Sequence, residues 1–146
     1  MVMFHIQQLD HLVLRVQNPE LMLMFYQQAL GCTLERQLPE LGLYQLRAGQ
    51  QLIDIISVDG KLGKQGGKAP GAEGHNLAHF CLLISPFEPA ALKQHFAQFG
   101  IETGEPEVRY GATGFGPSVY VQDPQGNVIE LKAALAEPVT SETTQM

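Results

Sequence analysis

LDHLVL at residues 9–14 returns as LAHFCL at residues 77–82, with the histidine at the same place in each copy. Both stretches are short, apolar and strand-like, and each leads into a helical stretch that stops at a glycine, Gly31 in the first copy and Gly100 in the second. Later in each copy comes an aliphatic–carboxylate–aliphatic triplet, Ile53-Asp54-Ile55 and Ile129-Glu130-Leu131. Self-similarity on this scale decides the architecture. It predicts an α+β chain of two tandem βαβββ modules whose mixed sheets curve around an open cleft. Module 1 is expected at about 9–58, a connector at 59–76 and module 2 at about 77–133, together one domain over 9–133. A short extension, 1–8, precedes it, and a polar tail, 134–146, is expected to be disordered.

The repeat also isolates four side chains. His11, Asp54, His79 and Glu130 each interrupt an apolar strand, where an imidazole or carboxylate is costly without a partner. A divalent metal held between the halves would satisfy all four together. Two imidazoles with one or two carboxylates suit Ni, Fe, Mn, Co or Zn better than the alkaline-earth ions. Coordination positions left open would let two adjacent substrate oxygens chelate such an ion. Each residue alone has a plainer reading: a strand histidine is more often packed than ligating, and Glu130 has Lys132 and Arg15 as candidate ion-pair partners. The matched placement of two His–carboxylate pairs is what favours metal.

Composition narrows the class. With 146 residues, 45% apolar and 16% charged, the chain suits one compact soluble domain. No apolar run approaches a membrane span, and MVMFHIQQLD lacks the basic start of a signal peptide, so a cytoplasmic location is expected. A net charge of −6 argues against nucleic acid. Cys32 and Cys81 fit no CxxC spacing and read as reduced, packed thiols.

Along the chain, Asn18-Pro19 reads as a helix start, with an apolar stripe of Leu21, Met22, Phe25 and Ala29. Strands are expected at 9–16, 32–38, 43–48, 50–58 and 77–84, and a hairpin over 117–132 that turns at Asp123-Pro124-Gln125-Gly126-Asn127. Ser85 to Glu88 reads as a capping box, residues 109–116 as a glycine-rich loop, and residues 59–76 as a mobile connector or lid. Four further residues are candidates for substrate binding. Arg15 shares a strand face with His11, Arg109 and Tyr110 lead into the glycine-rich loop, and Tyr120 shares a face with Ser118 and Gln122.

The strand LDHLVLRV with FYQQALG, the hairpin DPQGNVIEL and the stretch RYGATGFGPSVYVQDPQGN resemble the vicinal oxygen chelate superfamily. That group includes glyoxalase I, extradiol dioxygenases, fosfomycin-modifying enzymes and bleomycin-binding proteins. The chain looks most like its small glyoxalase-domain proteins. The resemblance covers about residues 8 to 133 and puts the family's metal positions on His11, Asp54, His79 and Glu130. Aspartate departs from the Glu or Gln usual at the second position, so Asp54 is expected to ligate directly only if its strand shifts, to reach the ion through water, or to serve as general base. The implied activity is glyoxalase-type lyase or isomerase chemistry: proton abstraction by Asp54 or Glu130 beside a chelated carbonyl, with an enediolate held by the ion. Glutathione stays open as co-substrate, with Arg15, Arg36 and Arg109 as carboxylate partners. A homodimer is implied too. The alternatives are an extradiol ring-cleaving dioxygenase built on His11, His79 and Glu130, and a metal-free small-molecule or antibiotic-binding protein of the bleomycin-resistance type.

Overall fold

A computed structural model describes residues 2–134. It divides into two compact units, Met1–Glu73 and Gly74–Met146, with the boundary inside the expected connector. The expected tail falls, from residue 135 on, outside the described residues. Among the described residues no helix is long and apolar enough to cross a membrane.

In the first unit, β1 (His11–Val16), α1 (Pro19–Met24), β2 (Thr33–Leu38), β3 (Leu43–Ala48) and β4 (Gln51–Ser57) follow in order. The sheet runs β1-β4-β3-β2, with β1 parallel to β4 and the other pairs antiparallel. The helix starts where the sequence placed it: Asn18 Oδ1 accepts from Leu21 N at 3.1 Å, and Pro19 takes the first position. A π-helical turn, Phe25–Ala29, carries the chain to Gly31, whose φ of 76° ends it. Tyr26 is buried beside Met22, Phe25 and Ala29, whereas Leu21 of the expected stripe faces out.

The second unit repeats the plan with β5 (Phe80–Ile84), α2 (Pro89–Ala97), β6 (Glu107–Gly111), β7 (Gly114–Gln122) and β8 (Val128–Ala133). Its sheet runs β5-β8-β7-β6, again with one parallel pair, β5 with β8. The two sheets are mixed, open and four-stranded, as the repeat predicts. The turn between β7 and β8 is held by Asp123, whose Oδ1 accepts from the backbone N–H of Gln125 and Asn127, both at 2.9 Å, while its Oδ2 accepts from Asn127 Nδ2. This turn sets the register of β8 and therefore the position of Glu130.

Four local expectations are corrected. The strand expected at 77–84 starts only at Phe80, because its ladder partner β8 starts at Val128 and leaves nothing for residues 77 and 78 to pair with. The capping box does not form: Pro89 fixes the first turn, Glu88 takes the cap position, and Ser85 lies too far upstream. The glycine-rich stretch 109–116 is a tight hairpin, with Gly111 paired to Gly114. The first part of the connector is also anchored, with a 3₁₀ turn at Gly63–Gly66 bound to β1.

Candidate functional site

Sheet register places the four predicted residues as two equivalent pairs. In the first unit His11 lies two residues before Val13, and Val13 is directly opposite Asp54. In the second, His79 lies two residues before Cys81, and Cys81 is directly opposite Glu130. With side chains alternating along a strand, each imidazole shares a sheet face with its carboxylate. Among the described residues no three His, Cys, Asp or Glu side chains gather into a group that would hold a metal ion. The residues come together as two pairs, one in each unit.

His79 Nε2 stands 3.2 Å from Glu130 Oε1. The imidazole is partly open, whereas Glu130 is buried. Metal–nitrogen and metal–oxygen bonds of about 2.0–2.2 Å at octahedral to tetrahedral angles put two ligands of one ion about 2.9–3.4 Å apart, so this spacing fits a shared ion as well as a hydrogen bond. His11 is bonded differently. Its Nδ1 lies 2.8 Å from Asp10 Oδ2, and since a carboxylate only accepts, Nδ1 carries the proton and Nε2 is the ring nitrogen available for a ligand. The Asp10 hydrogen bond, and next the Asp54 charge, raise the His11 pKa above the ordinary value.

Asp54 is 4% exposed, between Ile53 and Ile55 in the core. Its Oδ2 accepts from Gln45 Nε2 at 3.1 Å, and Gln45 Oε1 accepts from Arg36 at 3.1 Å. Asp54, Gln45 and Arg36 are successive cross-strand neighbours, so the network is one row of the sheet. Asp54 Oδ1 is buried with no hydrogen-bond partner. A buried carboxylate oxygen left in this state is an acceptor awaiting a cation or a proton. Each pair, one imidazole and one carboxylate, offers donors of the kind a divalent first-row metal takes.

The second unit surrounds Glu130 with other groups. Tyr120 is opposite it on β7, and the Tyr120 ring meets the His79 ring edge-on, centroids 5.4 Å apart. The Arg109 guanidinium lies over the Tyr120 ring at 4.3 Å while donating to Ser118 O, Ser118 Oγ and Glu107. Arg109, expected at substrate, is thus engaged inside its own sheet. Tyr110, also expected there, is displaced by the strand pleat to the opposite face from Arg109, 74% exposed and packed on Phe115. Arg15 is diverted as well: Nε and both terminal nitrogens donate to Gly63 O, Gly67 O and Lys68 O, four hydrogen bonds that pin the connector. Glu130 pairs with neither Lys132 nor Arg15; the buried Lys132 ammonium donates to Gly114 O and Thr113 Oγ1 at the β6–β7 hairpin.

Sequence reading missed Asp10 and Gln45 as neighbours of the pairs. Asp10 was visible beside His11, whereas Gln45 needed the β3–β4 register. Cys32 is packed as expected, whereas Cys81 is exposed; the Cys81 thiol is still pushed up to about 11 by partial desolvation and by the Glu130 charge, partly offset by Lys132. It is a poor nucleophile, as is Cys32, raised to about 11 by burial alone.

Comparison with known proteins agrees with this architecture. The model of the Glyoxalase/Bleomycin resistance protein/Dioxygenase superfamily matches residues 8–131. A virulence protein of Salmonella typhimurium is 30% identical over 133 residues, covering 86% of this chain and 83% of that one. Its crystal structure superposes with a TM-score of 0.70 at 26% identity over 90% of this chain and 100% of that chain. An integron cassette protein from the mobile metagenome of V. cholerae gives a TM-score of 0.70 at 27% identity, over 92% of this chain and 100% of the other. Lactoylglutathione lyase from Agrobacterium tumefaciens shares the fold alone, with a TM-score of 0.62 at 19% identity over 87% and 93% of the two chains. The repeated module, its sheet order and the matched residues make this chain a member of the Glyoxalase/Bleomycin resistance protein/Dioxygenase superfamily.

Proposed function

We propose that the protein is a metal-dependent enzyme of the glyoxalase type, a lyase or isomerase acting on a small substrate with adjacent oxygens. The observation that carries this reading is the common register of the two His–carboxylate pairs, each with the imidazole two residues ahead of the residue opposite the acid. The proposed ligands are His11, His79 and Glu130, with Asp54 as a fourth ligand or as the base. One pair comes from each unit, supplied by one chain or by two copies of it.

A divalent ion held by these residues would polarise two neighbouring substrate oxygens and would acidify a C–H on one of the two carbons that bear them. The remaining chemistry belongs to the chain. Asp10 fixes the His11 tautomer so that Nε2 faces a ligand. Gln45 restrains Asp54 through Oδ2, which leaves Oδ1 as the atom that takes and holds a proton. The burial of Asp54 and Glu130 excludes water from both carboxylates.

A second reading, ring cleavage of a catechol, is favoured by the same Gln45–Asp54 bond. If it keeps Asp54 off the ion, His11, His79 and Glu130 remain as a two-His–one-carboxylate set. A homodimer in the cytoplasm completes the proposal. The outer strands of each sheet carry unpaired edges that a second copy would protect.

The test is elemental analysis of untagged protein purified without chelators, beside His11→Ala and His79→Ala variants. About one Ni, Fe, Mn, Co or Zn per chain, lost in both variants, is the expected result. Failure to retain any of these ions after reconstitution would overturn the proposal.

A further inference from the structure

A cavity of about 470 Å³ opens within the second unit, in the size range of small-molecule sites. Its walls are Ile101, Glu102 and Thr103, on the segment between α2 and β6, with Tyr120, Gln122 and Val128 on β7 and β8. Gly104 N donates to Tyr120 O at 3.0 Å and holds that segment against the sheet. Gln122 pairs with Val128, and Tyr120 pairs with Glu130. The cavity therefore begins two residues along β8 from Glu130, about 7 Å at strand spacing, and shares the Tyr120 side chain with the Glu130 row.

The lining has a distinct chemistry. Ile101, Val128 and Tyr120 are the largely apolar residues of the lining, and Thr103 and Gln122 are of a kind that offers hydrogen bonds. Glu102 is the one charged residue among those lining it. An anionic group entering would give up hydration beside the Glu102 carboxylate, and the nearest guanidinium, that of Arg109 over the Tyr120 ring, is already engaged with Glu107 and Ser118. The net charge of −6 acts in the same direction. A neutral or cationic group on an apolar stem meets matching walls and, if it is an amine, a counter-charge.

We infer that this cavity seats the part of the substrate that does not chelate, and that it selects neutral or cationic, partly apolar groups over anionic ones. The placing of the chelating oxygens rests on the proposed function; the charge preference of the cavity does not. The inference counts against a glutathione carboxylate occupying this cavity, where it would lie beside Glu102.

The test separates the two claims. In the first arm, isotope-labelled, metal-free protein is titrated with phenethylamine and with phenylacetate, neither of which has adjacent oxygens, while amide resonances are followed. Phenethylamine is expected to move the amides of residues 101–104 and 122, and phenylacetate at the same concentration is expected to leave them in place. In the second arm, zinc-loaded protein is titrated with 4-ethylcatechol, dopamine and 3,4-dihydroxyphenylacetate. Dopamine is expected to bind about two- to fivefold more tightly than the acid, the size of one partly screened charge interaction, and Glu102→Gln should bring that ratio close to one. Equal or stronger amide shifts from phenylacetate, or shifts lying outside this segment, would overturn the inference. If no catechol binds the zinc-loaded protein while phenethylamine still marks residues 101–104, the chelate reading fails and the cavity's preference stands.

Discussion

Replacing Asp54 with leucine should make the metal-free protein more stable. Asp54 is 4% exposed, its Oδ1 has no hydrogen-bond partner, and Oδ2 has one, from Gln45 Nε2 at 3.1 Å. Leucine removes the unpartnered oxygen, which is worth about 1–3 kcal/mol, and buries an apolar side chain of the same branching on the sheet face opposite Ile53 and Ile55, worth about 1.5–3 kcal/mol. Against this stands the lost Gln45 bond to a charged acceptor, about 1.5–3 kcal/mol. The balance favours Asp54→Leu by about 1–3 kcal/mol, or about 3–10 °C in Tm for a chain of this size. Metal should narrow or reverse the gap. At an ion concentration about a hundred times Kd, binding adds about 2.7 kcal/mol to the wild type, and a variant that has lost a ligand or a hydrogen-bonded neighbour of the ion gains less.

Thermal unfolding followed by circular dichroism, with chelator and then with zinc, measures both terms. The expected pattern is variant above wild type without metal and a narrowed or inverted gap with it. A chelated Asp54→Leu protein that melts below the wild type would refute the reasoning. It would show that the metal-free fold already compensates the carboxylate, which would then need no ligand to explain it.

Two other predictions concern residues around the pairs. Arg15→Met removes the four hydrogen bonds that pin the connector, and trypsin cleavage after Lys61, Lys64 or Lys68 should quicken by about tenfold or more, since one net bond of about 1.4 kcal/mol already gives that factor; Gly66→Ala should act likewise, because a side chain there would run into the Arg15 guanidinium. With both thiols at about 11, against 9.0 for an ordinary cysteine, thiolate at pH 8 is roughly a hundredfold scarcer, so native protein should react slowly with a thiol reagent and faster as pH rises toward 11; Glu130→Gln removes a charge that raises Cys81 and should speed its reaction at fixed pH.

What the sequence disclosed depended on how local the signal was. Asn18-Pro19 and Asp123 to Asn127 carry their own hydrogen-bond logic within a few residues, and both structures formed as read. The repeat disclosed the two pairs because identical register needs no knowledge of the partner strand. Gln45 and Arg36 stayed hidden because they meet Asp54 only through a β3–β4 register and a β2–β3 ladder that contains an irregularity between Leu34 and Arg36. The 109–116 stretch was misread by composition: its glycines flank a tight turn and let two strands close, and a loop has the same composition. Arg15 was placed on the right face, but a long guanidinium there finds the carbonyls of the next segment before it finds a ligand.

The two units put the same question to different neighbours, and the answers differ in a way that bears on mechanism. At the position opposite each acid stands Gln45 in one sheet and Tyr120 in the other. Gln45 is a donor, and it draws Asp54 Oδ2 along the sheet; Asp54, one methylene shorter than Glu130, then keeps Oδ1 as its one free oxygen. In the other unit an aromatic ring fills the place, with its edge against His79 and its face under Arg109. Glu130 instead reaches His79 at 3.2 Å. One carboxylate is tethered across its sheet and the other extends to its imidazole. On the proposed reading this asymmetry divides their work: Glu130 with His79 suits ligation, and tethered Asp54 suits taking a proton at an atom held clear of other donors.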